Sequence, residues 1–471
     1  MNSLSPKRVA QALVWLMPYI CRYSTLATSK YAHAAYDAKP TAVDPVRAHA
    51  LEQMELLLLD RALRVGHRHH ELEKLSKQLH SRPVIQTGPH CHLIIEPDAF
   101  YTHIFSAIGL RCHKESWYLS YSPSTVKFTE SAKKGPGWLR LGDHTLNVFG
   151  LSRSKMVPFS VCGRHASQRF ALTSSEETTD ANQLVEELQT ILPHDEFPSA
   201  ADAIKTANQS LWRRFFASSN LHLLQIDDLD VGDLVAQHLR DPTSWLSSTL
   251  FGAGGFAKSL LTHLRSFDSG PWGGWATTTT DFFWHLSGGR IFPVRLDNRL
   301  FLTADEKFSL RCIPDALVRS LEKGEIIPSL LLSFLVTSVL PGLRALGGSR
   351  QVVYYPIMRH ALLSALADFP SAANRSVAVS LASDEAAGMW GHRTISPGPT
   401  DPFTLIAQSG PSRIGQLIQD YGEMPLKKAW GSLPAFASDP LWQTLCERLA
   451  LDTAFKDRPI WLLGAHQAQQ M

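Results

Sequence analysis

The chain has 471 residues, 44% of them hydrophobic, which is enough for one large core or several and excludes a small scaffold stapled by disulfides. Its 46 basic and 43 acidic residues leave a net charge of +3, and the 20 histidines add positive charge only as pH falls toward ~6.5. No basic surplus demands a nucleic-acid partner, and 19% charged residues among many large apolar ones exclude a disordered chain. Six scattered cysteines without a CxxC pair predict reduced thiols and a cytoplasmic protein rather than a disulfide framework or a cysteine-rich zinc site.

In chain order, Lys7-Arg8 and the apolar run 9–20 superficially match a secretory signal, but Gln11 and Pro18 interrupt the run and no small-residue cleavage site follows. A docked helix is expected. Between 44 and 80, Leu51, Met54, Leu58, Ala62, Val65, Leu72, Leu75 and Leu79 keep a helical period, predicting one long helix or two broken at Gly66. Pro83 stops that pattern, and Val84-Ile85-Gln86 reads as a short strand entering the turn Thr87-Gly88-Pro89. Helix 99–110 and a second strand, 117–121, follow. Strand, polar turn and helix form the unit of nucleotide-binding α/β sheets.

Segment 131–137, with Lys133, Lys134 and two glycines, reads as a mobile loop, and 174–180 as a surface link into helix 182–192. Composition changes at 193–198. Strand 221–226 ends in Asp227-Asp228, and strands 282–285 and 291–294 flank Gly288-Gly289 as a hairpin. The uncharged run 326–343 approaches the roughly 18 residues of a membrane span, yet Pro328 and Pro341 bracket it and Ser329, Ser333, Thr337 and Ser338 dilute it. A buried helix is expected, with no membrane partner. Three regions result: an N-terminal helical segment (1–82), a core with insertions at about 175–275 (83–365), and a C-terminal helical and loop region (366–471) interrupted by Pro397, Pro399 and Pro402.

Candidate chemistry concentrates after the first strand. His90 and His92, at i and i+2, sit where sheets of this kind hold ligands, and imidazoles there can donate to phosphate or accept a proton near neutral pH. A His-x-His pair also suits a metal, but no carboxylate or third histidine can be assigned to it, so no metal site is predicted. His67, His69, His70 and Glu71 read as a solvated helix face. Gly347-Gly348 allows close backbone approach, with Arg350 and Gln351 able to reach an anion. A ligand-free turn fits that segment equally. Gly252 to Lys258 lacks phosphate-loop spacing and reads as a flexible loop, and Lys155 as an isolated basic residue.

Taken together, VIQTGPHCHLIIEP at 84–97 resembles the VVTGQQ-x-G-L-x-x-GP segment of the bacillithiol-biosynthesis cysteine ligase family. Tyr101-Thr102 is similar to its YT step, 221–230 to its strand and acid segment, and Phe282-Phe283-Trp284 through Arg290 to its aromatic strand and Gly-Arg hairpin. Leu340-Pro341 through Gly347, Gly348, Gln351 and Tyr354 resembles LP-x-x-AYVGGPGE-x-x-Y. The resemblance covers 84–360. It implies a Rossmann-like parallel sheet similar to that of nucleotidyltransferases and class I synthetases, with helical insertions, and a ligase forming an amide between an amino acid, cysteine in the family, and an amine-bearing small molecule.

Carried over by position, the site would comprise Thr87, Gly88, His90 and His92 on one side and Gly347, Gly348 and Gln351 on the other; the residues themselves add Arg350 and Tyr354 beside Gln351, and Lys133 and Lys134 on the nearby loop to close over the ligand. His90 and His92 replace a glutamine and a glycine of the family. Its acidic stretch after the second strand is Tyr121-Ser122-Pro123-Ser124 here, an arginine and an aspartate before its LP are Leu332 and Thr337, and the last glutamate of GGPGE is Gln351. Amide formation in water needs an activated acyl group, so ATP with Mg²⁺ is the expected co-reactant. A binding protein that keeps a nucleotide crevice without turnover, and metal-dependent hydrolysis through His90 and His92, are the other readings.

Overall fold

Every residue of Val84–Gln86 and Trp117–Tyr121 is buried, as a strand must be when helices cover both faces of a parallel sheet. In the computed structural model, which describes residues 5–40, 44–174, 179–276, 279–384, 388–410, 412–451 and 458–462, these become β1 and β2. With β3 (His222–Ile226), β4 (Arg344–Gly347) and β5 (Met389–Trp390) they form an all-parallel sheet in the order β5–β4–β1–β2–β3. Val84 lies opposite Arg344, Gln86 opposite Ser120, and Trp117 to Tyr121 opposite His222 to Ile226. The protein is therefore α/β, as expected. The chain winds outward from β1 to β3, then returns to the far side of β1 for β4 and β5. Loops leaving β1 and β4 diverge, and this switch point opens a crevice at the strands' carboxyl ends.

Local chemistry explains the helices around the sheet. Asp44 caps α1 (Pro45–Arg64) by accepting the N–H groups of Val46 and Arg47 at 2.9 and 3.1 Å, and proline occupies the first helical position. Gly66, at φ +91°, breaks the pattern before α2 (His69–Ser81), as its position predicts. α3 (Pro97–His113) follows β1, is capped by Glu96, and is buried continuously from Ala99 to Leu110. α4 (Ala200–Phe215) precedes β3, and α5 (Asp228–Arg240) leaves it through a capping box of Asp227 and Asp230. α6 (Gln351–Asp368) leaves β4. One contiguous core runs from Val9 to Leu462, and it includes the N-terminal helix Pro6–Leu16.

Three expectations change. The run 326–343 is buried, but Ile326–Pro328 is a strand paired with Phe283–Ser287, because Pro328 disfavours a helical residue before it. Helix Leu330–Phe334 then passes into a wide turn, Leu335–Val339, and no helix among the described residues is long and apolar enough to cross a membrane. The segment 131–137 is not an open loop: Glu130 and Lys134, Lys134 and Ser131, and Gly137 and Phe128 are joined by main-chain hydrogen bonds of 2.7 to 2.9 Å. Finally, the C-terminal region supplies β5, so the sheet extends beyond residue 365. Of the predicted link at 174–180, residues 175–178 lie outside the described residues, and the following helix is Thr179–Ile191.

Candidate functional site

The crevice is a cavity of about 490 Å³, a size suited to a small molecule. Its first wall is built from the residues after β1. Alternation about Cys91, which is fully buried, puts His90 and His92 on the same side, facing the cavity. Cys91 N–H donates to Pro123 O at 3.1 Å. Buried Asn208, on α4, donates to His92 O and accepts Ile94 N–H, both at 2.9 Å, so the histidine segment is held from behind.

Opposite the two imidazoles stands Glu130, from the loop after β2. Its Oε1 lies 2.7 Å from His90 Nδ1 and 3.5 Å from His92 Nε2. His92 is only 10% exposed, whereas His90 is 46% exposed. Enclosure by itself would raise the Glu130 carboxyl, but hydrogen bonds to His90 and His92 outweigh it and hold the group well below the usual carboxylate range. The tight turn that presents Glu130 needs Gly135: at φ +125°, a Cβ there would lie 2.8 Å from both Glu130 N and Phe128 O.

The other cations are already paired. Arg350 forms a fork with Asp439 at 2.6 and 3.1 Å, while Lys134 and Arg393 reach the same Asp98 oxygen at 2.5 and 2.8 Å. Burial would raise the Asp98 carboxyl, yet Arg393 and Lys134 lower it overall. His392 N–H donates to Gly347 O at 2.9 Å, and its Nδ1 lies 2.8 Å from Thr102 Oγ1. Enclosure, then Arg393, pushes the His392 imidazole well below its ordinary value, so it is neutral at pH 7. Thr87 Oγ1 donates to Gln351 Oε1 at 2.8 Å, bridging the loops after β1 and β4, whereas buried Gln351 Nε2 has no hydrogen-bond partner. Trp275, Phe334 and Tyr354 add aromatic surface to the same cavity.

Thr87, Gly88, His90, His92, Lys134, Gly348, Arg350, Gln351 and Tyr354 all line this crevice. Two expected site residues do not. Gly347 lies beneath the surface, its missing side chain making room for Gln351. Lys133, at the tip of the turn, lines a neighbouring cavity with Lys134, Ser396 and Pro434. Sequence reasoning missed Glu130, Asp98, His392, Arg393 and Asp439, which reach the crevice from four separate segments, His392 and Arg393 sharing one. Glu130 comes from the loop after β2, nine residues beyond Tyr121. Asp228 also holds the loop, accepting Ser124 and Thr125 N–H at 2.8 and 2.6 Å.

The solvated-face expectation for the earlier histidines also changes. His69 and His70 are exposed, but His67 packs its ring 4.6 Å from Trp117 and stands with Glu71 and His222 at the amino end of β3. Two groups among the described residues thus have the composition and spacing to hold a cation: His90, His92 and Glu130, and His67, Glu71 and His222. Neither Lys155 nor Lys258 lines the crevice. No protein-family model matches this chain, and no curated protein matches it.

Proposed function

We propose that the crevice is the active centre of an ATP-dependent enzyme that joins an amino-acid carboxylate to the amine of a small molecule. The observation that carries the reading is the meeting of two segments far apart in sequence. Thr87 and Gln351 are 264 positions apart, yet they hydrogen-bond across adjacent strand ends, and each belongs to a stretch resembling the bacillithiol-biosynthesis cysteine ligase family. The strand order and the switch-point crevice support a Rossmann-like core similar to that of nucleotidyltransferases and class I synthetases.

The lining suits such a ligand. Aromatic side chains offer a surface for a flat ring system, while Arg350, Lys134 and Arg393 counter negative charge at the rim. ATP, accompanied by Mg²⁺, supplies the activation that an amide bond needs in water. The amine nitrogen then bonds to the acyl carbon, the bond from that carbon to its phosphate leaving group breaks, and the nitrogen releases a proton. Of the lining groups, His90 and His92, held by Glu130, are the candidates to accept that proton. Gln351 Nε2, a donor without a partner, is positioned to bond a ligand oxygen.

A second reading, a binding protein without turnover, is favoured by one observation: each rim cation already faces a carboxylate, Arg350 on Asp439 and Lys134 and Arg393 on Asp98. Incubating the protein with ATP, Mg²⁺, pooled amino acids and candidate amines, and reading products by mass spectrometry beside His90→Ala, separates the two. A new amide mass that disappears in His90→Ala supports the ligase. Nucleotide retained by the folded protein with no product supports the binding reading.

A further inference from the structure

We propose that His90, His92 and Glu130 bind a divalent transition-metal ion of the zinc class, with its open coordination positions turned into the crevice. The inference concerns the crevice but does not require condensation chemistry; with the ion bound, His90 and His92 serve as its ligands and not as proton acceptors. Two imidazole nitrogens and one carboxylate oxygen form a donor set that suits zinc, cobalt, iron or nickel, whereas magnesium and calcium take mostly oxygen ligands. One ligand atom from each residue can be chosen so that all three lie within 4.8 Å of one another. Ligands at ~2.1 Å around a tetrahedral ion stand roughly 3.4 Å apart. The His92 Nε2 to Glu130 Oε1 separation of 3.5 Å already matches, and the 2.7 Å from His90 Nδ1 must open by about 0.7 Å to reach that spacing. His90, at 46% exposed, has the freedom to make that adjustment.

The three ligands come from two loops whose backbones are fixed independently. Asn208 holds the chain at the His92 carbonyl and the Ile94 N–H, and the Gly135 turn holds Glu130. Protein ligands occupy one side of such an ion, so the remaining positions face the cavity and would take a phosphate or carboxylate oxygen of the bound ligand. Glu96, which also lines the crevice, adds negative charge there, while Asp98 is already met by Lys134 and Arg393. The rival cluster is less suited. Glu71 already accepts the Arg68 N–H at 2.7 Å as a helix cap, and Arg213 lies close enough to His67 to oppose positive charge.

The test uses full-length protein purified without an affinity tag, stripped with chelator and titrated separately with Zn²⁺ and Co²⁺. Metal content is read by mass spectrometry, and coordination by the visible absorption of Co²⁺. The proposal expects one equivalent bound, a Co²⁺ spectrum of four- or five-coordinate type, and affinity weakened at least the roughly 100-fold that even outer-shell changes can cause in both His92→Ala and Glu130→Gln. Glu130→Gln preserves shape, so a folding defect does not explain its loss, and circular dichroism confirms the fold. His222→Ala should bind like wild type. No binding by the folded wild type, full binding by Glu130→Gln and His92→Ala, or binding lost only in His222→Ala would overturn the assignment. None of these readouts needs turnover, so failure here is distinct from failure of the ligase reading.

Discussion

Replacing Gly88 by alanine adds one methyl group to the floor of the crevice, and the structure shows what it meets. A Cβ at Gly88 would lie 2.2 Å from Cβ and 2.5 Å from Cγ of His392, where carbon atoms rest at about 3.5–4.0 Å. One side must retreat by more than ~1 Å. His392 is tied by its N–H to Gly347 O and by Nδ1 to Thr102, and Gly88 N–H donates to Gln86 Oε1 at 3.1 Å, so neither moves freely. Overpacking of this kind costs about 1–3 kcal/mol, and the backbone attachment of both Cβ atoms puts Gly88→Ala in the upper half of that range. Urea unfolding measures it. His392→Ala keeps the Cβ at 2.2 Å and should give little relief, whereas His392→Gly should restore most of the loss in the double variant. Gly347→Ala provides the contrast: its Cβ would meet the Gln351 amide at 1.8 Å, the far end of a flexible chain that can swing away, losing its bond to Thr87 for about 1 kcal/mol. A Gly88→Ala protein within about 0.5 kcal/mol of wild type would refute the packing argument.

Two further predictions concern buried charge. Lys205 reaches Asp227 at 2.8 Å and Asp230 at 2.9 Å; Arg61 also pairs with Asp230, so Lys205→Met leaves Asp227 without a cation and should cost about 3–5 kcal/mol. Adding Asp227→Asn should recover part of this in urea unfolding, and an unchanged midpoint for Lys205→Met alone would contradict the network. Burial lowers His103 to about 3 and, with His49 adding to it, His238 to about 4. Both are neutral when folded and take up protons near pH 6.5 when unfolded, so their effect is absent well above pH 6.5, destabilises as pH falls, and is complete below the folded values. Each should remove about 2 kcal/mol by pH 5. His238→Gln should flatten the stability profile between pH 7 and 5, and profiles parallel to wild type would refute the assignment.

Much of the sheet is visible in sequence for a physical reason. Trp117–Tyr121 and His222–Ile226 are apolar runs ended by turn residues or acids, and Gly288-Gly289, both at positive φ, marks its hairpin. Met389–Trp390 has no such mark, being two residues long, and Gln351–Asp368 hides its helix behind Pro356 and a Val-Val-Tyr-Tyr run. Half of the crevice was legible in the same way, because glycine and histidine at strand ends announce Thr87 to His92 and Gly348 to Gln351. The acidic half was not. Glu130 meets His90 across 40 positions, and Asp439 meets Arg350 across 89; no period or local spacing encodes either pairing. Lys133 and Lys134 show the limit from the other side, since of these adjacent residues of one turn both line the neighbouring cavity and only Lys134 reaches the crevice as well.

The central claim is that the switch-point crevice takes a nucleotide, and calorimetric titration of ATP with Mg²⁺ tests it most directly. Wild-type protein should bind one equivalent. Arg350→Ala should weaken binding by about tenfold or more, the loss of one charge-assisted contact, and His92→Ala by about fivefold, the loss of one hydrogen bond. Folded wild type that binds no ATP, or equal affinity in all three proteins, would contradict the account.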